Sequence, residues 1–344
     1  MKSWLRTHLQ SHKAYTSARS EFSASDRPMI YLDANENPYD WPYSRYPDPL
    51  QGDLKAAIGQ WKKVAPSQLF LDNGSDAIIQ LLIMGLCEPG EESILVCPPT
   101  FGMYAVGAAL LNVEVETVPL TPQFQLDVRA ILDAVHPKMK LCFIPNPNNP
   151  SANWFSKTDL QTIAENFSGL LVIDEAYAEF SPDDSALSWA LEYANVMVLQ
   201  TFSKAQGMAG GRLGMGFARE TLINDLNTIK PPYNLNSLSI AVAMEQLQQQ
   251  HRVQKQVEEM CAQREQLMKA LKEMDCVHEV FSSAANFFLI RVDNSQQRYL
   301  QLLDHGIVVR NTSKKRHCEN TLRITIGTPE ENKQLIAAFK SLSS

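Results

Sequence analysis

Between about residue 68 and residue 220, short apolar runs alternate with longer segments of helical period, and few architectures accommodate that alternation. The runs are Ile94 to Cys97, Leu141 to Pro145, Leu170 to Ile173, Val196 to Gln200 and Met215 to Phe217. Ala77 to Cys87 and Lys157 to Phe167 are among the helical segments that separate them. Such an order predicts an α/β fold, a mostly parallel central sheet flanked by helices. From Leu235 to about Met274 the chain is rich in Gln, Glu, Lys, Leu and Met and lacks Gly and Pro. That stretch predicts one long helix or two in close succession, with a coiled-coil partner helix as the rival reading. Strand-like runs at Phe287 to Val292, Gly306 to Arg310 and Leu322 to Ile326 follow, then a helix opened by Thr328, Pro329 and Glu330. They predict a smaller α+β domain. The proline-rich stretch from Asn37 to Pro49 reads as an extended connector.

The 344 residues are 44% hydrophobic, ample for a buried core. The net charge is -7, with Lys+Arg 31 interspersed among Asp+Glu 38. No basic stripe tracks a phosphate backbone, so nucleic acid is not an expected partner. Six cysteines are scattered without a C-x-x-C pair, several within apolar runs, which points to a reducing cytoplasm and away from a zinc cage. The first residues carry positive charge without an apolar stretch long enough for a signal peptide, and no later run approaches the ~20 residues of a membrane span.

In open parallel sheets ligands bind beyond the carboxyl ends of the strands, so the residues that follow each apolar run carry the chemistry. After Ile94 to Cys97 comes Pro98-Pro-Thr-Phe101; after Leu141 to Ile144 comes Pro145-Asn-Pro-Asn-Asn149-Pro150. After Leu170 to Ile173 comes Asp174-Glu-Ala-Tyr177, and after Val196 to Gln200 comes Thr201-Phe-Ser-Lys204, with Arg212 beyond it among glycines. A lysine amine forms a Schiff base with an aldehyde, a small hydroxyl such as Ser203 donates to a phosphate oxygen, and an arginine fork fits that phosphate. Pyridoxal phosphate has all three needs. Asp174 suits its pyridinium nitrogen, Asn149 and Tyr177 its ring hydroxyl oxygen, and Phe101 its ring face. Lys204 then has a second task, moving the proton between the substrate carbon and the cofactor. Asn73-Gly-Ser-Asp76 precedes a helical pattern, so Ser75 and the backbone amides there suit the phosphate. Asp76 joins these as a cofactor-site candidate, but its carboxylate would repel that phosphate, so it is expected to cap the helix or to face a cationic group. Taken singly, each has a structural reading as well: Asp174 as a cap, Asn149 as a turn residue and Phe101 as core.

These residues resemble the fold-type I pyridoxal-phosphate aminotransferases, and within that group the histidinol-phosphate aminotransferases. The motifs run through nearly the whole chain: Tyr15-Thr-Ser-Ala-Arg19, Leu32-Asp-Ala-Asn-Glu-Asn-Pro38, Ser44-Arg-Tyr-Pro-Asp-Pro49, Cys87-Glu-Pro-Gly90, Pro98 to Tyr104, Asp174 to Tyr177, Ser203 to Arg212 and Leu322 to Thr328. The resemblance implies that Lys204 is the Schiff-base lysine, Asp174 the ring-nitrogen partner, Tyr177 and Asn149 the ring-hydroxyl partners, and Ser203 with Arg212 phosphate ligands. It implies a homodimer in which Tyr46 reaches the cofactor phosphate of the other copy. It gives Arg310, Arg323 and Tyr15 the anionic end of the substrate, although Arg310 also reads as a surface charge beside Lys314-Lys-Arg316. The implied division is an N-terminal segment over 1–44 that joins the small domain, a large cofactor-binding domain over 45–234 and the rest of the small domain over 235–344. The implied reaction moves an amino group between L-histidinol phosphate and 2-oxoglutarate, with glutamate as the other product.

Three departures stand out. The family's N-P-T-G turn reads Asn149-Pro-Ser-Ala152, without a glycine where the backbone needs freedom. Gln206 and Gly211 replace more apolar residues, and Phe101 stands where a tyrosine is common. An aromatic amino acid aminotransferase, a decarboxylase of threonine phosphate and a non-catalytic relative share enough of the pattern to stay open.

Overall fold

The computed structural model of the chain describes residues 3–15, 29–39, 41–181 and 185–342. Thr16 to Arg19, part of one family-like motif, lie outside the described residues. Two sheets organise the rest. The larger runs β1 (Leu69–Asp72), β2 (Ser93–Val96), β3 (Glu114–Thr117), β4 (Met139–Pro145), β5 (Leu170–Asp174), β6 (Val196–Thr201) and β7 (Gly214–Phe217). Their spatial order is β1-β7-β6-β5-β4-β2-β3. Strands β3 to β6 with β2 are parallel, while β7 is antiparallel to β6 and β1 antiparallel to β7. This is the mostly parallel sheet expected, with an antiparallel edge that the sequence did not declare.

Every residue of β5 and β6 is buried, because helices cover both faces. Leu171 and Ile173 pack into one apolar cluster and Leu170 and Val172 into another, as successive side chains of a strand must. Among the helices on these faces are α1 (Gly52–Lys62), α2 (Ser75–Leu86), α3 (Met103–Leu110), α4 (Val128–Ala134), α5 (Lys157–Asn166), α6 (Leu187–Glu192) and α7 (Glu220–Ile229).

The segment read as one helix or two is two: α8 (Ser237–Leu247) and α9 (Gln250–Lys272). The helix α9 then packs on the second sheet, formed by β8 (Val277–Val280), β9 (Phe287–Val292), β10 (Arg310–Asn311) and β11 (Thr321–Thr325) in the order β10-β11-β9-β8. The run from Gly306 to Arg310 joins the sheet only at its last residue, since Gly306 takes φ +76 and turns the chain after α10 (Ser295–Asp304). The last helix, α11 (Pro329–Leu342), opens on a capping box: Thr328 N donates to Glu331 Oε2 at 2.7 Å and Glu331 N to Thr328 Oγ1 at 3.3 Å. No helix among the described residues is long and apolar enough to cross a membrane.

Candidate active site

Five loops leave the carboxyl ends of the parallel strands or the edge beside them and enclose a cleft of about 530 Å³, including its open mouth. Ser75, Asp76, Phe101, Asn149, Asp174, Tyr177, Ser203, Lys204 and Arg212 line it. Nine residues picked from strand ends and motifs, separated by up to 137 positions in the chain, thus face one space.

Asp174 ends β5 and is buried. Its Oδ2 accepts from the Tyr104 hydroxyl at 2.7 Å and its Oδ1 from the Ala176 amide at 3.2 Å. Burial lifts this carboxyl to about 6, against the two hydrogen bonds, which lower it. Tyr104 closes the Pro98 to Tyr104 motif, and its signal in the sequence is a single hydroxyl among the apolar and small residues of α3.

At the other end of the cleft, Gly74 takes φ +77 and opens α2, so the first amides of that helix face the cleft. Arg212 crosses to this point: its Nη2 lies 3.5 Å from Asp76 Oδ2, and its Nη1 donates to Ser203 Oγ at 3.4 Å and to the Ala209 carbonyl at 3.2 Å. Asp76 therefore faces a cation, one of the two alternatives expected for it. Ser203 is oriented by Thr201, whose Oγ1 donates to Ser203 Oγ at 3.0 Å and accepts from the Ser203 amide at 3.1 Å. Gly214 is indispensable to this corner. A Cβ there would stand 2.3 Å from both Gly74 C and Ser75 N, on top of the helix start.

Lys204 lies between these ends, its Nζ 5.3 Å from the centroid of the Tyr177 ring. Burial lowers its proton affinity, and Arg323 lowers it further. Burial pushes the Tyr177 hydroxyl up to about 12, against the pull of Arg323. Asn149 joins the two sheets: its Nδ2 donates to Tyr177 Oη at 3.5 Å and its Oδ1 accepts from Arg323 Nη1 at 2.5 Å. The Arg323 guanidinium lies 5.2 Å from the Phe287 ring, which meets Tyr177 edge-on. Arg310 is the cross-strand partner of Arg323 and is exposed.

Neither Arg310 nor Arg323 is among the residues lining the cleft, and two more expected residues, Tyr15 and Tyr46, are elsewhere. Tyr15 is 73% exposed and is not among the residues lining the cleft. Tyr46 stacks on Tyr233 with ring centroids 4.4 Å apart, in a separate hollow with Tyr43, Arg45 and Leu238.

Residues 34–339 match the family model for aminotransferase class I and II. The chain belongs to the class I and II aminotransferases. It is 44% identical over 339 residues, 98% of this chain and 97% of the relative, to a histidinol-phosphate aminotransferase of Flavobacterium johnsoniae. The fold is that of the histidinol-phosphate aminotransferase of Clostridium acetobutylicum, with a TM-score of 0.80 at 24% identity over 88% of this chain and 91% of that one. It is also that of the Sinorhizobium meliloti enzyme in complex with pyridoxal-5'-phosphate, TM-score 0.79 at 22% identity, covering 87% and 84% of the two chains.

Within this aminotransferase the departures have local explanations. Gln206 is buried but exchanges hydrogen bonds with Gln250 on α9, at 3.0 and 3.4 Å. At Gly211 any side chain would press on Met208, since a Cβ would stand 2.9 Å from its Cε. Ala152 does adopt the left-handed backbone that a glycine would favour, with φ +61, and is fully buried against Ala285 and Phe287.

Proposed function

We propose that the protein transfers the amino group of L-histidinol phosphate to 2-oxoglutarate in histidine biosynthesis, with pyridoxal phosphate as cofactor, and that it works as a cytoplasmic homodimer. The observation that carries the reading is the near full-length identity to relatives named histidinol-phosphate aminotransferase. Five of the six cysteines are buried, which suits the reducing compartment.

The cleft fits the cofactor. Ser75, Ser203, Arg212 and the α2 amides supply donors for a phosphate, and the glycines at 74 and 214 let the Arg212 guanidinium and the start of α2 come together there. Asp174 would hold the ring nitrogen, Asn149 and Tyr177 the ring hydroxyl oxygen, and Phe101 one face of the ring. When bound, pyridoxal phosphate supplies an electron-withdrawing ring that stabilises charge at the substrate carbon. Lys204 would hold the cofactor through Nζ and, once its amine is free, would carry the proton between the substrate carbon and the cofactor. Its lowered proton affinity favours the neutral amine that this task needs. Arg323, held by Asn149, receives the anionic end of both substrates, with Arg310 beside it and Tyr15 joining from the N-terminal segment.

Tyr46 is assigned to the phosphate of the other copy. The exposed side chains of Tyr39, Trp41, Tyr43, Tyr46 and Leu238 support an interface there, since single chains seldom leave so many large apolar groups together in water. Mixing Lys204→Ala with Tyr46→Ala chains tests this: hybrid dimers hold one intact site, and random exchange should restore about a quarter of wild-type activity. No recovery after demonstrated exchange removes the shared site. For the reaction, glutamate formation is measured with histidinol phosphate, phenylalanine and threonine phosphate as donors. Faster turnover of phenylalanine overturns the donor assignment, and carbon dioxide release from threonine phosphate overturns the reaction class.

A further inference from the structure

Tyr104 is fully buried on α3, the helix that continues from the Phe101 loop. Its ring is clamped: it stacks on Phe143 of β4 with centroids 4.8 Å apart and planes 9° apart, and meets Phe101 edge-on at 5.5 Å. A ring held on two sides has one direction for its hydroxyl, and that direction ends on Asp174 Oδ2 at 2.7 Å.

Asp174 is thus fixed at both oxygens, by Tyr104 at Oδ2 and by the Ala176 amide at Oδ1, with the remaining lone pairs free to face the cleft. The charges around it do not favour its ionised form strongly. Asp76 on α2 opposes it, Lys204 beyond β6 favours it, and desolvation outweighs every other influence. Tyr177, from the loop beyond β5, completes the ring of titratable groups. Among these the phenol is the nearest donor. A hydrogen bond to a carboxylate in a dry site stabilises the charged form more than the neutral one.

We propose that Tyr104 is a positioning residue, which orients the Asp174 carboxylate toward the cofactor's ring nitrogen and stabilises its negative charge so that the proton stays on the ring. The proposal rests on the assignment of pyridoxal phosphate to the cleft. It also gives Phe101 and Asp174 a common support, since one buried side chain touches both.

The test is the pH dependence of cofactor affinity, measured on the cofactor-free protein from pH 5 to pH 8.5 by absorbance, for wild type and Tyr104→Phe. Phenylalanine keeps the stacked ring and removes only the donor. The wild-type affinity should weaken as the pH falls through about 6, where Asp174 takes up its proton. In Tyr104→Phe the weakening should begin about one pH unit higher, so that affinity drops about threefold near pH 6.5 and approaches about a tenfold loss at pH 5, while the two proteins converge at pH 8.5. In an Asp174→Asn background the same substitution should leave cofactor affinity unchanged. Placing 3-fluorotyrosine, a more acidic phenol, at position 104 should move the profile the opposite way, and gives a second reading should Tyr104→Phe fold poorly. A loss by the same factor at every pH, or in the Asp174→Asn background, makes Tyr104 a structural residue and overturns the proposal. Wild-type protein that takes up no pyridoxal phosphate overturns the cofactor assignment and the proposal with it.

Discussion

Asp174, Ser203 and Lys204 stand at the ends of central strands in a sheet covered on both faces, whereas Arg323 and Arg310 stand on adjacent strands at one edge of the four-stranded sheet. The first group is fixed from several sides, by Tyr104, Thr201 and the start of α2. The second is joined to it through Asn149 and the Tyr177–Phe287 ring contact. The difference suits the two tasks proposed for them. A cofactor that stays needs a rigid cradle, while substrates that alternate in size and charge need a cation set apart from that cradle.

Lys204→Ala breaks the comparison most severely. The side chain makes no hydrogen bond among the described residues, so the variant should fold and still bind pyridoxal phosphate non-covalently. Turnover should fall by at least about 10⁴, the upper range for a group that transfers the proton. Retained turnover in a single-turnover assay removes Lys204 from the mechanism.

Gly214→Ala tests how rigid the cradle is. The added methyl must displace Gly74 or Ser75, because 2.3 Å is far inside van der Waals contact. Overpacking of this kind costs about 1–3 kcal/mol, and cofactor affinity should fall with it because the displaced atoms belong to the phosphate corner. Urea denaturation and cofactor titration together report both, and unchanged affinity would show that the helix start does not hold the phosphate.

Arg323→Ala acts on the other half. It should raise the apparent KM of histidinol phosphate and of 2-oxoglutarate by roughly 10- to 100-fold, equivalent to the loss of a hydrogen bond to a charged group of about 1.5–3 kcal/mol. Affinity for pyridoxal phosphate should be untouched. If cofactor affinity falls as much as substrate affinity, the two halves are not separate and Asn149 transmits the damage.

The two halves also differed in how far the sequence disclosed them. Strands β4, β5 and β6 are buried on both faces and so are written as unbroken apolar runs, which placed Asp174, Asn149 and Lys204 at strand ends directly. The edge strand β3 reads Glu-Val-Glu-Thr and is largely in solvent, and β8 reads Val-His-Glu-Val; neither has the apolar content to announce itself. The break between α8 and α9 falls at Gln248 and Gln249, with no glycine or proline to mark it. The link between Tyr104 and Asp174 spans 70 positions and depends on how α3 packs beneath β4 and β5, so no local pattern carried it. Arg323 came from family resemblance alone, and its hold on Asn149 spans 174 positions.

The seam between the halves gives the smallest effect. Ala152 sits where the Asn149 loop meets the second sheet, and its carbonyl accepts from the Ala284 amide at 2.8 Å. Its φ of +61 costs a non-glycine residue about 1–2 kcal/mol. Glycine would remove that strain but lose a buried methyl, worth about 0.8 kcal/mol, and would add about 0.5–1 kcal/mol of chain entropy to the unfolded state. These contributions nearly cancel, so Ala152→Gly should change unfolding stability by less than about 0.5 kcal/mol. Ala152→Val, β-branched and too large for the contact with Ala285 and Phe287, should lose about 2 kcal/mol or more. Urea midpoints at constant slope decide between the opposing effects: a clear gain in Ala152→Gly means that backbone strain dominates at the seam, and a clear loss means that the buried methyl holds the two sheets together.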